Sequence, residues 1–305
     1  MTRATAFLVV SRLEYLGAGI FFLFAVATLS ARTFDRLIVQ LPWVALGCLL
    51  WLCCHLLGSQ VNCLSDCEVD TGPKAHLPVA VNAIGQRFLW GAIAAESLAA
   101  LVIAVAFSVK QSSVVPAALF VVGWGLTMAY SLEPLRLKRR GFLSPLSLSL
   151  VLYGLPVALG YSTLTSGSEP GILALLVGVG VQMFGVITMN SFADMREDRL
   201  ANIATPFVLY GPRLVASVAL LAYVAGAIVA VWAAMPLLKS TAARLVLGTL
   251  ALLVHGWVVS TIAPVLSVQS DTDDRVRRLG PLNALQFGVL GVMFGAQSLA
   301  VLLDG

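Results

Sequence analysis

Charge is scarce in this chain: Asp, Glu, Lys and Arg make up 11% of its 305 residues, where a soluble domain carries about a quarter. That shortage excludes a solvated globular enzyme, a disordered tail and a broad basic surface for nucleic acid. Histidine is nearly missing, with three residues, which leaves little room for His-based metal or acid–base chemistry. The five cysteines, Cys48, Cys53, Cys54, Cys63 and Cys67, crowd one apolar stretch. An odd number so placed does not form a disulfide framework, and Cys63 and Cys67 with His55 or His76 match no common zinc spacing. No low-complexity segment, long linker or soluble insertion interrupts the chain.

What fills it is apolar sequence. Hydrophobic residues reach 59% and the mean hydropathy is +0.93. Nine spans are expected, at 12–31, 38–60, 80–107, 114–131, 143–164, 170–190, 212–236, 243–266 and 281–302, each near the ~20 residues that carry a helix across a bilayer. The first is too long, and followed by too many others, to be a cleaved signal. The expected fold class is therefore an all-α integral membrane protein of about nine transmembrane helices, with one catalytic domain over residues 1–305. With the N-terminus inside, thirteen Lys and Arg fall on the cytoplasmic side and five on the other, as the positive-inside rule requires. A prokaryotic inner membrane with cytoplasmic N-terminus and active site is the expected location, and the net charge of +4 needs no nucleic-acid partner.

The longer polar interruptions all fall on that cytoplasmic side. One reads VNCLSDCEVDTGPK (61–74) and another MNSFADMREDRLAN (189–202). Both contain Asn-x-x-x-Asp-x-x-x-Asp: Asn62, Asp66, Asp70 and Asn190, Asp194, Asp198. If each continues its helix, the members of a set share one face, because a four-residue step turns only ~40° off register. Four carboxylates pointing into one mouth cannot stay ionised without cations. Oxygen ligands with no His or Cys partner suit Mg²⁺, which is commonly shared between carboxylates and substrate phosphates; Asn62 and Asn190 add neutral oxygens. Between the motifs lies YSLEPLRLKRRG (130–141), with four cations in five residues. By itself that run reads first as a topology anchor. Beside an acidic metal site it suits a diphosphate, with Lys74 and Arg199 as further candidates. A solute transporter is the reading from another class; it expects acids near the bilayer midplane, whereas these lie at span ends.

The paired motifs and the Tyr-Ser-x-x-Pro-x-Arg-x-Lys-Arg loop resemble the UbiA superfamily of intramembrane prenyltransferases. The second motif continues DRLANIATPFVLYG, similar to the family tail D-x-x-x-G-x-x-T-x-x-V-x-x-G, with Asn202 in place of the usual Gly and Thr205, Val208 and Gly211 kept. The resemblance implies helices around a central cavity capped at the cytoplasmic face. It implies that Asn62, Asp66, Asp70, Asn190, Asp194 and Asp198 hold Mg²⁺ and an isoprenyl diphosphate, and that Tyr130, Ser131, Arg136 and Lys138 line the same pocket. The four aspartates would be the catalytic set, and a small lipophilic, aromatic acceptor would capture the prenyl cation.

Two departures bear on the acceptor. After the first motif the chain reads Lys74-Ala-His-Leu-Pro rather than an Arg-Pro-Leu-Pro-like segment, and SRLEYLG opens the first span without an Arg-Pro-x-Asn start. No cation for an acceptor carboxylate stands out, which favours a neutral acceptor or none. "None" means a terpene cyclase on the same scaffold. Glu96, deep in a span, is a candidate cavity acid for such chemistry, or equally a packed, hydrogen-bonded side chain. Trp124, Tyr153, Tyr161 and Phe184 read first as packing residues and second as cation-stabilising walls.

Overall fold

A computed structural model describes residues 1–13, 16–31, 33–68, 74–164, 170–268 and 274–304. Among them there are helices and turns and no strand, as a chain that must satisfy its backbone inside lipid requires. A short helix, α1 (Arg3–Ser11), is followed by α2 (Leu16–Ala31) and the long α3 (Phe34–Asp66). The short α4 (His76–Ile84) turns at Gly85, φ +90°, into α5 (Gln86–Lys110), and α6 is Val115–Ser131. The next long helix is α7 (Leu143–Ser149) and α8 (Leu155–Leu164), joined by a π-turn at Leu150–Gly154. Then come α9 (Pro170–Asn190), the short α10 (Met195–Leu200) and α11 (Pro206–Tyr210), α12 (Pro212–Ala234), α13 (Thr241–Ile262) and α14 (Asp274–Asp304).

Local chemistry sets these boundaries. Thr33 and Ser240 cap α3 and α13 with side-chain oxygens that accept from Arg36 N and Ala243 N, meeting donors left over in a first turn. Pro206 and Pro212 stand in the first turns of α11 and α12, where the missing N–H costs nothing. Between them Gly211 takes φ +79°, a value that suits a residue without Cβ.

Among the described residues, six helical stretches are long and apolar enough to cross a membrane: Phe34–Asp66, Gln86–Lys110, Leu143–Ser162, Pro170–Asn190, Pro212–Leu237 and Thr241–Ser267. The other three expected spans coincide with shorter apolar segments, Phe22–Ala31, Val115–Ser131 and Gly288–Leu303. Length and composition thus qualify six of the nine. Large apolar side chains such as Leu221, Trp232 and Leu252 are exposed on them, which is what a lipid-facing wall looks like.

Lipid gives no hydrophobic drive for helix association, so close contact must supply it. The GVGVQMFG stretch of α9 does so against α12. A Cβ at Gly226 would lie 2.5 Å from both Gln182 N and Gly178 O, and one at Gly185 would lie 2.6 Å from Ala219 O. Only glycine lets these backbones approach so far. Around the crossing, Tyr223, Met183, Ala219 and Val186 are buried, fixing the level at which α9 ends.

Candidate active site

The ends of α3, α6 and α9, with the π-turn, surround a cavity of about 800 Å³. One stripe of α3, Trp51, His55, Gly58, Asn62 and Asp66, runs along its wall at steps of four or three residues, the repeat of one helix face. Tyr130 and Ser131 enter from the end of α6, and Val151 and Leu152 from the π-turn; such turns are frequent at functional sites. Asn190, Asp194, Glu197 and Asp198 enter from α9 and α10, and Lys74 and Lys138 complete the polar lining.

The first motif keeps the expected helical face: α3 continues through Asn62 and Asp66. Asp70 lies outside the described residues. The second motif departs from expectation. α9 stops at Asn190, the chain turns, and α10 begins after Asp194. Phe192 is fully buried against Phe207, ring centroids 4.9 Å apart, with Met195 beside them, and these contacts hold the turn against the core. Phe192 N donates to Met189 O at 3.0 Å and Asp198 N to Asp194 O at 2.8 Å, so the turn is internally satisfied.

Lysines sit on the carboxylates. The Lys138 ammonium, 7% exposed, bonds Asp66 Oδ1 and also donates to Ser65 Oγ at 2.7 Å and Asn62 Oδ1 at 3.4 Å. Lys74 Nζ is 2.8 Å from Asp194 Oδ2. Arg136 does not line the cavity. It donates to Ser65 O at 2.9 Å and lies 3.5 Å from Asp66 Oδ1, bracing Asp66 from outside, although its φ of +35° is an unfavourable one for a residue with a Cβ. Arg199 is exposed and away from the lining. Burial, and then the Asp194 carboxylate, push the Asp198 carboxyl up to about 7. Ser131 Oγ is buried without a partner among the described residues.

No group of three or more His, Cys, Asp or Glu side chains is gathered tightly enough to hold an ion among the described residues. The donor types nevertheless fit Mg²⁺: Asn62, Asp66, Asn190, Asp194 and Asp198 offer only oxygen to one cavity. The raised Asp198 and the orphaned Ser131 hydroxyl mark an electrostatically incomplete site.

Glu96 is not in the cavity lining. It accepts from Gln60 Nε2 at 2.8 Å between α5 and α3, so the packed reading describes it and the cavity-acid reading does not. Of the aromatic candidates, Trp124 lines a small apolar side pocket of about 60 Å³, whereas Tyr153 and Tyr161 are buried in the core and Phe184 lines neither cavity. That side pocket shares Trp51, Cys54, Thr127 and Val151 with the large cavity, so the two adjoin. Sequence reasoning missed Arg12, Trp51, His55, Ser59, Ser144 and Glu197, all of which line the large cavity. Of these only Arg12 carried a signal, as a cation opening a span.

Asn202, which stands at the glycine position of the motif this tail resembles, takes φ +53°. Asn is the side chain that tolerates the left-handed region best after Gly, so the departure leaves the backbone intact.

Comparison with known proteins bears on the family and the fold. A family model described as UbiA prenyltransferase family matches residues 18–267. The bacteriochlorophyll synthase 33 kDa chain of Rhodobacter capsulatus is 30% identical over 169 residues, 53% of this chain and 53% of that protein. The protein of that description from Cereibacter sphaeroides is 30% identical over 190 residues, 58% of each chain. The chain thus spans little more than half the length of the curated relatives it matches. A UbiA homolog from Archaeoglobus fulgidus bound to GPP and Mg²⁺ superposes with a TM-score of 0.65 at 15% identity, covering 96% of this chain and 99% of that one. A digeranylgeranylglyceryl phosphate synthase reaches 0.68 at 13% identity, covering 98% and 99%. At these identities the likeness is one of fold.

Proposed function

Since the chain belongs to the UbiA prenyltransferase family, we propose that its cavity binds an isoprenyl diphosphate with Mg²⁺ and passes the prenyl group to a small lipophilic acceptor, aromatic in class. The observation that carries this reading is the meeting of two Asn/Asp sets, from α3 and from α9–α10, with Lys74 and Lys138 in one cavity. Asn62, Asp66, Asn190, Asp194 and Asp198, with Asp70, would hold the ion. Bound there, Mg²⁺ supplies charge neutralisation of the leaving diphosphate.

The chain's own groups account for the rest. Lys138 and Lys74, each on a carboxylate, are within the same lining as Tyr130 and Ser131, so ammonium and hydroxyl donors can turn to phosphate oxygens. Such charge-assisted bonds strengthen as negative charge gathers on the leaving group. Arg136 holds Asp66 in place. The prenyl chain would run past Trp51 and Thr127 toward the apolar side pocket, where Leu155, Leu159 and Phe120 offer its hydrocarbon tail a dry wall. The excess of cationic residues on one side supports a cytoplasmic mouth. Cyclisation without an acceptor is the second reading; of its two supports, the absent cation after the first motif stands, whereas Glu96 is not in the cavity lining.

The test uses the detergent-purified chain with Mg²⁺ and geranylgeranyl diphosphate. Diphosphate release that needs an added aromatic acceptor is expected, and Asp66→Ala and Asp194→Ala should each abolish it. Release that survives in either variant removes the shared site; cyclic hydrocarbon formed without acceptor replaces transfer by cyclisation.

A further inference from the structure

One stripe of α5, Leu89, Ile93, Ala100, Ile103 and Phe107, is buried. Glu96 stands within it, three residues after Ile93 and four before Ala100, the steps of one helix face. Toward one end of α5, Leu89 and Ile93 cluster with Leu57 and Val61 of α3; toward the other, Ala100 and Ile103 cluster with Leu50 and Cys53. The carboxyl therefore lies in a seam between two apolar clusters. There it accepts from Gln60 Nε2 at 2.8 Å, and Gln60 is fully buried.

Two atoms of this pair are left over. Glu96 Oε2 and Gln60 Oε1 are both buried, and neither has a hydrogen-bond partner among the described residues. No cation among those residues reaches the carboxyl. From α3 it faces Gln60 and the Cys53 thiol; from α6 the neighbour is Trp124, whose indole N–H donates to Ser97 Oγ at 3.1 Å. The helices α4 and α8 also touch α5 and hold His76 and Tyr161 as their titratable residues, neither engaged with Glu96. An ionised carboxylate with one neutral donor and no counter-ion is costly to bury, and an amide oxygen without a donor adds to that cost. One hydrogen on Oε2 removes both defects: the acid donates to Gln60 Oε1 while it accepts from Gln60 Nε2. The end groups of Glu and Gln turn easily enough to close that ring.

Gln60 precedes Asn62 by two residues on α3, ~200° around the helix and ~3 Å along it. It grips the back of the turn whose front presents Asn62 and, one turn on, Asp66 to the cavity. We propose that Glu96 holds a proton and, closed on Gln60 as an acid–amide clasp, is a positioning residue for the Asn62–Asp66 face. The effect on substrate rests on the prenyltransferase reading above; the proton does not. A carboxylate cannot donate, so the clasp belongs to the acid form and opens as pH rises through the titration of Glu96. Gln at this position makes the same two bonds and has nothing to titrate.

The experiment uses the full chain in detergent with saturating Mg²⁺, so that titration of Asp198 does not enter. Infrared difference spectra of wild type against Glu96→Gln, taken at about pH 6, should show the carbonyl stretch of a protonated carboxyl, shifted in heavy water. Glu96→Gln should bind geranylgeranyl thiolodiphosphate, an unreactive donor, within about twofold of wild type, and Glu96→Ala about tenfold more weakly. In sodium dodecyl sulfate Glu96→Ala should unfold before wild type, and Glu96→Gln together with it. As pH rises, the infrared band and the wild-type donor affinity relative to Glu96→Gln should fall with one midpoint. Glu96→Leu/Gln60→Leu strands no polar group and keeps the test open if Glu96→Ala does not fold; it should bind donor about tenfold more weakly at every pH. A missing band overturns the proton. Glu96→Gln as impaired as Glu96→Ala, or a double variant with wild-type donor affinity, overturns the positioning role. A chain that shows the band and the rescue of stability by Gln, yet binds no donor in any form, overturns the prenyltransferase reading and leaves the clasp standing.

Discussion

Replacing Lys138 by Met keeps most of the side-chain volume and removes its charge. The ammonium is 7% exposed and meets Asp66, Ser65 Oγ at 2.7 Å and Asn62 Oδ1 at 3.4 Å. Without it, Arg136, at 3.5 Å, is the cation left beside Asp66 among the described residues. Stranding one member of a buried ion pair costs ~3–5 kcal/mol, and the remaining arginine and the adjoining cavity bring the expected loss to ~2–3 kcal/mol. The loss should be largest in EDTA. In Mg²⁺ it should shrink, because an ion on Asp66 replaces the missing positive charge. Donor affinity should stay at least tenfold weaker even then, since a hydrogen bond to a charged group, worth ~1.5–3 kcal/mol, has gone. Unfolding in sodium dodecyl sulfate, followed by tryptophan fluorescence with and without Mg²⁺, measures the first effect; donor KM measures the second. The double variant Asp66→Asn/Lys138→Met should be more stable than Lys138→Met, because no carboxylate is then left unpaired. Wild-type stability of Lys138→Met in EDTA, or equal Mg²⁺ stabilisation of both proteins, refutes the reasoning.

Three further outcomes are expected. Gly226→Ala sets a methyl group 2.5 Å from the backbone of α9; forcing the helices apart should cost ~1–3 kcal/mol or more in the same unfolding assay, whereas Gly47→Ala, with nothing within 4 Å, should change little. Asn202→Gly should leave stability and turnover near wild type, while Asn202→Val, a β-branched residue forced to φ +53°, should lose ~1–2 kcal/mol. Because the Asp198 carboxyl is raised to about 7, it holds a proton below that pH which Mg²⁺ must displace. The Mg²⁺ concentration for half-maximal turnover should therefore fall as pH rises from 6 to 7 and level off above, and Asp198→Asn should remove that slope from whatever turnover remains.

The two acidic motifs show how far local pattern reaches. Asn62 and Asp66 occupy one helix face at the spacing the chain itself announces, because helical register is a property of neighbouring residues. The same spacing at Asn190, Asp194 and Asp198 does not give one continuous helix: α9 ends at Asn190 and α10 begins after Asp194, with Phe192 and Met195 of the turn packed into the core formed with α9, α11 and α12. Nothing within 189–202 marks that difference. Arg136 and Lys138 stand two residues apart in one basic run, yet only Lys138 lines the cavity.

The sequence by itself determined the solvent, the helical class, the motifs and the family, since apolar run length, charge placement and residue spacing are written along the chain. Tertiary packing alone decided which polar side chains share the cavity. Glu96 was turned toward Gln60, and Arg12 was carried back to the wall of α3, its carbonyl oxygen 3.1 Å from His55 Nε2. Those outcomes depend on how closely helices distant in sequence can approach, and here glycine-lined crossings and a few buried aromatic rings set that distance.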